Sequence, residues 1–387
     1  MKCTTGSSVD VCAKTAGKAA AAKAKKGVTH AKLVFVYASA AYDLSALLDG
    51  VKEELPGVPI IGNTSFTGVV TPDGCITGDK GFAGLMLISG DKLDVGVCGL
   101  PKNGCARTAG RKAAEAAIEN AGFTDAPDYF YMTAPPGEEE LYLKGVSDII
   151  GRRPMFGGSA ADNGRACEGK IYTDSGVLPD GVAVAFFYVD KPMVHVFTGA
   201  YRETSDAGII TKIHGSRVLA EIDGEPALKK YAAWRGLNPD SLMGGALLEA
   251  AVTSPLGVKD ILGGLTAIRH PINGSADYSM GIDANLAEKT AVIRMEASAE
   301  ELIASASGAL KALKEKMRGA SAGFHLIHSG RRLGGAKDKL EELAKALKAE
   351  AGDIPFIMAF TFGEYGFQED GANTTGGLML SYTGYPA

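Results

Sequence analysis

The chain has 387 residues, 46% of them hydrophobic, with 40 Lys and Arg against 45 Asp and Glu. That length predicts two or three domains at roughly 150 residues each, and a formal charge of −5 argues against a nucleic-acid binder, which needs a basic face. No run reaches the ~18 apolar residues of a membrane span, the N-terminus lacks an apolar signal core, and the six cysteines form no C-x-x-C pair. These features predict a soluble, cytoplasmic protein with reduced thiols. The 51 glycines, about double the usual ~7%, predict many tight turns and close backbone approaches.

The most informative feature is self-similarity. Cys12-Ala-Lys-Thr-Ala-Gly17 recurs 93 residues later as Cys105-Ala-Arg-Thr-Ala-Gly110. Each copy leads into Ala-rich helical sequence and then an apolar strand, Leu33 to Ala38 and Tyr129 to Thr133. From Asp43, a predicted N-cap, Leu44, Leu47, Leu48, Val51 and Leu55 form one apolar stripe that Pro56-Gly57 stops. Tyr142, Val146, Ile149 and Ile150 play that part in the second copy. Short Pro-led strands follow, Pro59-Ile-Ile-Gly62 and Pro154-Met-Phe-Gly157, and closing strands run from Phe82 to Ile88 and Val182 to Val189.

A diverged third copy occupies the C-terminus. Ser305 to Lys316 is its first helix, Phe324 to His328 its first strand, and Leu340, Leu343, Ala344 and Leu347 stripe its second helix. Pro355 to Phe360 is its Pro-led strand, and Gly376 to Ser381 closes it. Between copies two and three, Val194 to Thr198, Ile209 to His214, Arg217 to Ile222, Gly244 to Leu248, Ile261 to Arg269 and Ala291 to Glu296 are expected strands. Pro226 opens an expected helix from Ala227 to Trp234. The predicted fold is α/β: repeated helix-strand-helix-strand units forming mixed sheets flanked by helices, in two domains. Residues 1–190 would form the first, with repeats at about 5–98 and 99–190. Residues 191–387 would form the second, with a β-rich insert at 191–297 and the third repeat at 298–387.

Through these motifs the chain resembles the FIST sensory-domain family, in both its N-terminal and C-terminal domains. The first portion of the resemblance is carried by Phe35-Val-Tyr-Ala-Ser39, Pro59-Ile-Ile-Gly-Asn-Thr64 and Pro154-Met-Phe-Gly-Gly-Ser-Ala-Ala-Asp162. The second rests on Ile222-Asp-Gly-Glu-Pro-Ala-Leu228, Thr361-Phe-Gly-Glu364 and Asn373-Thr-Thr375. It implies an intracellular signal-transduction sensor of small polar metabolites, amino acids among them, acting without catalysis and without a cofactor. Many members are fused to output modules; this chain leaves no length for one, so a separate signalling protein is the expected partner. Two departures stand out. The family tends to carry Cys before the C-terminal Arg motif, where this chain has His328-Ser329-Gly330-Arg331, and the Gly-Glu of copy three is matched by Gly68-Val69 in copy one.

Ligands of parallel sheets gather outside the strand carboxyl ends, which here carry Ser39, Thr133 and Ser329, while the Pro-led strands end at Asn63-Thr64, Gly157-Gly158-Ser159 and Thr361. Arg331 could hold a carboxylate bidentately, Glu364 could receive an ammonium group, and Asp162 is the alternative anion; Arg332 reads as a solvated charge. One arginine and one acid converging would suit an α-amino acid. Two competing classes stay open: a small-metabolite enzyme using Glu364 with Ser329 or a cysteine, and a protein-interaction scaffold. The oligomeric state is left open.

Other motifs fail. Gly164 to Lys170 resembles G-x-x-x-x-G-K, but Ile171 replaces the Mg²⁺-binding hydroxyl. His325 and His328 would face opposite sides of a strand, no Cys/His cluster has zinc spacing, and no G-x-S-x-G elbow is present. Cys167, beside Glu168 and Lys170, could be reactive if its pKa is lowered.

Overall fold

A computed structural model describes residues 1–162, 169–259, 264–333, 339–369 and 372–387. The fold is α/β, with three six-stranded mixed sheets and one eight-stranded sheet. Each six-stranded sheet is built on one parallel pair: Ala31–Ala38 with Ile60–Thr64, Tyr129–Ala134 with Met155–Ser159, and Ser321–Ser329 with Phe356–Thr361. The first strand of each pair also runs antiparallel to a closing strand, Ala83–Ser89, Val182–Val189 or Leu380–Pro386.

The remaining strands tie the units together. Each unit lends a hairpin to a neighbour's sheet. The hairpin of Ile171–Thr173 and Gly176–Leu178 extends the first sheet, that of Glu364–Gly366 and Thr374–Gly376 the second, and that of Val69–Thr71 and Gly74–Ile76 the third. Lys2–Ser8, Leu93–Leu100 and Val194–Thr198 cover the opposite side. The exchange is cyclic, so no unit completes its sheet alone.

The inner faces of the sheets meet in one aromatic core. At register-equivalent positions stand Phe35, Tyr131 and His325, with ring centroids 5.0 Å apart for Phe35 and Tyr131 and 4.4 Å for Phe35 and His325. Tyr37 bridges two of these units, with its hydroxyl 2.6 Å from His325 Nε2 and 3.2 Å from the Tyr131 hydroxyl. His328 points the other way, against Phe360. Burial drives both histidines down to about 3, so both are neutral at physiological pH.

Helices cover the outer faces. The repeated hexapeptide has a packing cause: a Cβ on Gly17 would lie 2.2 Å from the Leu47 carbonyl, and one on Gly110 2.3 Å from that of Tyr142. Glycine lets paired helices cross at backbone contact. Asp43 caps the helix Leu44–Glu54 by accepting from the Ala46 amide at 3.1 Å. Tyr172 lies over Gly62, and its hydroxyl reaches the carbonyls of Val36 and Asn63 at 3.1 and 2.9 Å. Tyr172→Phe is expected to lower unfolding stability by about 1–2 kcal/mol in a denaturant titration, since it strips a buried hydroxyl from two strands.

Several sequence expectations need correction. Gly244 to Leu248 is not a strand: Ala246–Ala250 form a short helix that buries Leu247. The third unit's first helix starts at Ala299, not Ser305, because Ser298 and Glu301 make a capping box. Its closing strand is Leu380–Pro386, since Leu378 takes a φ of 57° and turns the chain after Thr374–Gly376. Val194–Thr198 pairs with that closing strand in the third sheet, not with the strands that follow it. Lys2–Ser8 and Leu93–Leu100 are strands that the repeat pattern does not announce. Part of the expected strand from Ile261 to Arg269 lies outside the described residues; Thr266–Arg269 is a strand.

Candidate functional site

The borrowed hairpins place one unusual residue. Against the Pro-led strands, Ile171 pairs with Asn63, Val69 with Ala359, and Glu364 with Gly158. Two units use an apolar side chain at this buried position and the third uses a carboxyl. Glu364 is fully buried; its Oε1 accepts from the Thr361 hydroxyl and its Oε2 from the Met379 amide, each at 2.8 Å. Burial pushes the carboxyl up to about 8, helped by the charge of Asp283 and opposed by the two hydrogen bonds and by Arg331. At neutral pH Glu364 is mainly protonated.

Around it the structure gathers residues from well-separated parts of the chain, from Glu139 to Met379. Ser329 is the register partner of Thr361, and its amide donates to the Met379 carbonyl at 3.2 Å. Gly158 is close enough to Thr361 that a Cβ would meet its Cγ2 at 2.8 Å, which is why no larger residue fits. Gly157, with a φ of 148° and a virtual Cβ 1.9 Å from the Met132 carbonyl, sets the path of that strand rather than facing the cluster. Ser159 donates its amide to the Gly363 carbonyl at 2.7 Å; its hydroxyl meets Glu139 Oε1 at 2.9 Å and the Tyr365 hydroxyl at 2.8 Å. Arg217 binds Glu139 and Glu140 together and fastens this corner to the eight-stranded sheet region.

Arg331 lies over the Phe362 ring, 4.9 Å from its centroid, with Nη1 3.9 Å from Asp283 Oδ2. Its side chain is 17% exposed and forms the outer edge of the cluster. Asp283 Oδ1 accepts from the His270 amide at 2.8 Å. Its other oxygen sits so close to Gly377 that a Cβ there would fall 1.4 Å away. Burial raises this carboxyl to about 6, against the pull of Arg331, Arg269 and Arg217. Three buried polar atoms here have no hydrogen-bond partner among the described residues, Ser329 Oγ, Arg331 Nη1 and Asp283 Oδ2; Thr375 Oγ1 and His270 Nδ1, in the segments that flank them, are also unpartnered. Unpartnered buried polar groups cost free energy, and three on neighbouring side chains call for a common explanation.

The other expected residues sit elsewhere. Ser39 is buried and its hydroxyl accepts from the Ala41 amide at 3.2 Å, a local turn bond. Thr64 exchanges hydrogen bonds with Lys170 and accepts from the Ala161 amide; Asp162, beside it, is buried. Asn63 is the link between regions, since its Oδ1 meets the hydroxyls of Tyr131 and Thr133 at 2.9 and 3.3 Å and Thr133 reaches the Gly158 carbonyl at 2.8 Å. Thus Gly158, Ser159, Ser329, Arg331, Thr361 and Glu364 come together, whereas Ser39, Thr64 and Asp162 belong to the end of the first sheet.

Sequence reasoning missed Asp283, Arg269 and His270. Their signal was faint: Asp283 follows the buried, alternating Met280-Gly-Ile282 strand, where a charge is out of pattern. Arg332, expected as a solvated charge, is buried and donates to the carbonyls of Gly199 and Leu378 and to the Ser305 hydroxyl. Among the described residues no group of three or more His, Cys, Asp or Glu could hold a metal ion. Cys3, Cys12, Cys75, Cys98 and Cys105 are free thiols; Cys167 and residues 164–168 lie outside the described residues. Among those residues no helix is long and apolar enough to cross a membrane.

No curated protein matches this sequence. Among solved structures, a crystal structure of cyanuric acid hydrolase from A. caulinodans is similar at 10% identity and a TM-score of 0.38, covering 100% of this chain and 99% of that one. Family models match in tandem, the FIST N domain over residues 32–225 and the FIST C domain over residues 227–366. The chain belongs to the FIST family.

Proposed function

We propose that the protein is a cytoplasmic sensor that binds a small zwitterionic metabolite, with α-amino acids as the leading class, at the Glu364 cluster and passes the signal to a separate protein. FIST domains are associated with small-molecule sensing, and the observation that carries this reading here is the set of unpartnered polar atoms around a neutral carboxyl and a half-satisfied ion pair. Arg331 offers a fork for a carboxylate. Asp283, ionised at neutral pH, and Glu364, ionised on demand, offer negative charge to an ammonium group.

In this reading residues 1–190 and 191–387 act as two units. Gly158 and Ser159 come from the first, and Arg331, Asp283 and Glu364 from the second. A ligand held across that boundary biases their arrangement by its differential affinity, with no chemical step.

A thermal-shift screen of amino acids and organic acids tests the reading. Selective binding to the native state raises the melting temperature by several degrees at a hundredfold excess over Kd. A broad screen without a hit, joined by native mass spectra without a bound molecule, would reject the sensor. Turnover of a hit with a bell-shaped pH profile would make it an enzyme.

A further inference from the structure

A polar cavity of about 540 Å³ is lined by none of the residues of the Glu364 cluster. Its wall contains Trp234 and Arg235 at the end of the helix Ala227–Arg235, Thr253 and Ser254, and Arg294 and Glu296 from the strand Ala291–Glu296. Ligand pockets commonly measure ~300–1,000 Å³ and combine an aromatic surface with a few convergent polar groups. This cavity has both.

The charges in the wall are unevenly matched. Arg202 pairs with Glu301 and Glu296 at the rim, and Arg294 directs Nε to Asp206 at 2.7 Å and Nη1 to Ser254 Oγ at 3.3 Å, with Glu296 Oε2 3.7 Å away. Arg235 has no carboxylate partner among the described residues. Its Nη1 donates to the Ala250 carbonyl at 2.6 Å and the Tyr231 hydroxyl at 3.1 Å, which fixes the guanidinium and leaves its Nε and Nη2 edge without an acceptor among those residues. Trp234, the chain's one tryptophan, adjoins it in sequence and is only partly buried. A fixed, unmatched guanidinium and an indole lining one cavity suit an anion attached to a planar ring, because arginine grips phosphate through its fork and aromatic rings stack.

We propose that this cavity is a separate binding site for a nucleotide-like ligand, a planar base carrying a phosphate. The ring lies against Trp234, the phosphate meets Arg235 with Arg294 behind it, and Glu296 accepts from an amino group on the base. The site is independent of the Glu364 reading and uses none of its residues.

Trp234 itself is the reporter. The full chain is titrated with AMP, with adenosine and inorganic phosphate as separate arms, and indole fluorescence is followed. The expected result is saturable quenching by AMP, at least about tenfold weaker for adenosine and for phosphate. Arg235→Gln weakens AMP about tenfold, and Thr253→Phe, which fills the cavity from a partly exposed wall, abolishes it. Arg331→Ala leaves the titration unchanged, so loss of the amino-acid reading would not disturb this one. Quenching that never saturates, equal affinity for phosphate alone, or an unaltered titration in Thr253→Phe would overturn the site, and the last variant decides even if Arg235→Gln fails to fold.

Discussion

Glu364→Gln is expected to flatten the dependence of thermal stability on pH between about 5 and 8. In the unfolded chain Glu364 titrates near its ordinary 4.5, whereas in the fold burial holds it near 8. Between those values the native state binds the extra proton. Stability therefore falls as pH rises through that window, is fully present below it, and stops changing above it. Each tenfold gain in proton affinity on folding corresponds to ~1.4 kcal/mol, so the full span reaches a few kcal/mol, one of the larger single-residue effects available to this protein. Glutamine keeps the shape and does not ionise: its carbonyl can accept from the Met379 amide, and its NH2 group can donate to the Thr361 hydroxyl, which reverses its role. A melting series should then show the wild type losing several degrees more than the variant from pH 5 to pH 8. Asp283, raised from 3.8 to about 6, leaves a smaller decline that ends near pH 6 in both proteins. Parallel curves for wild type and variant above pH 6 would mean that Glu364 is ionised in the fold, and the neutral-carboxyl picture would be wrong.

That picture also explains which parts of the molecule could be read from its sequence. The duplicated hexapeptides announce equivalent helices because Gly17 and Gly110 are each locked against a neighbouring carbonyl, a constraint local enough to repeat verbatim. The apolar runs at Leu33 and Tyr129 announce strands buried on both sides, and Asp43 announces its helix by capping chemistry. The three-way exchange of hairpins left no such trace. Ile171–Thr173 with Gly176–Leu178, or Glu364–Gly366 with Thr374–Gly376, pair on local grounds, and only the completed assembly decides which sheet receives them.

The same non-local step separates the legible from the illegible half of the site. Ser329, Thr361 and Glu364 belong to one unit, and their strand ends are visible in sequence. Gly158 and Ser159 were visible as a Gly-rich strand end, yet their neighbours across the gap were not predictable. Asp283 and His270 come from the eight-stranded sheet, inserted before the third unit's helix and brought against Gly377 only by tertiary packing. Ser39 misled for the converse reason: it directly follows its strand, at the position equivalent to Ser329, but its hydroxyl accepts a turn bond. Equivalent positions in a duplicated fold share a backbone, and only the unit whose hairpin delivers an acid keeps its hydroxyl unpaired.

Arg331→Ala should abolish ligand binding, with affinity falling at least about a hundredfold in calorimetry, roughly 3 kcal/mol. Arg331 touches Asp283 at 3.9 Å, beyond hydrogen-bond distance, and Nη1 has no other acceptor among the described residues, so the fork is held by its stack on Phe362 and not spent on the protein. A carboxylate entering between Arg331 and Ser329 would complete both groups, and charge-assisted forks of this kind are among the stronger polar contacts. Arg331→Lys keeps the charge but not the fork and should recover part of the affinity. A purely structural arginine gives a different pattern. Its loss would strip Asp283 of its nearest cation, raise that carboxyl further and lower the melting temperature, while a hit from the thermal screen bound with unchanged affinity. Because the incoming ammonium draws Glu364 into its charged form, binding by the wild type at pH 7 should also release close to one proton, read from the heat in buffers of different ionisation enthalpy. Glu364→Gln should abolish that release, and binding without proton release in the wild type would place the ammonium on Asp283 alone.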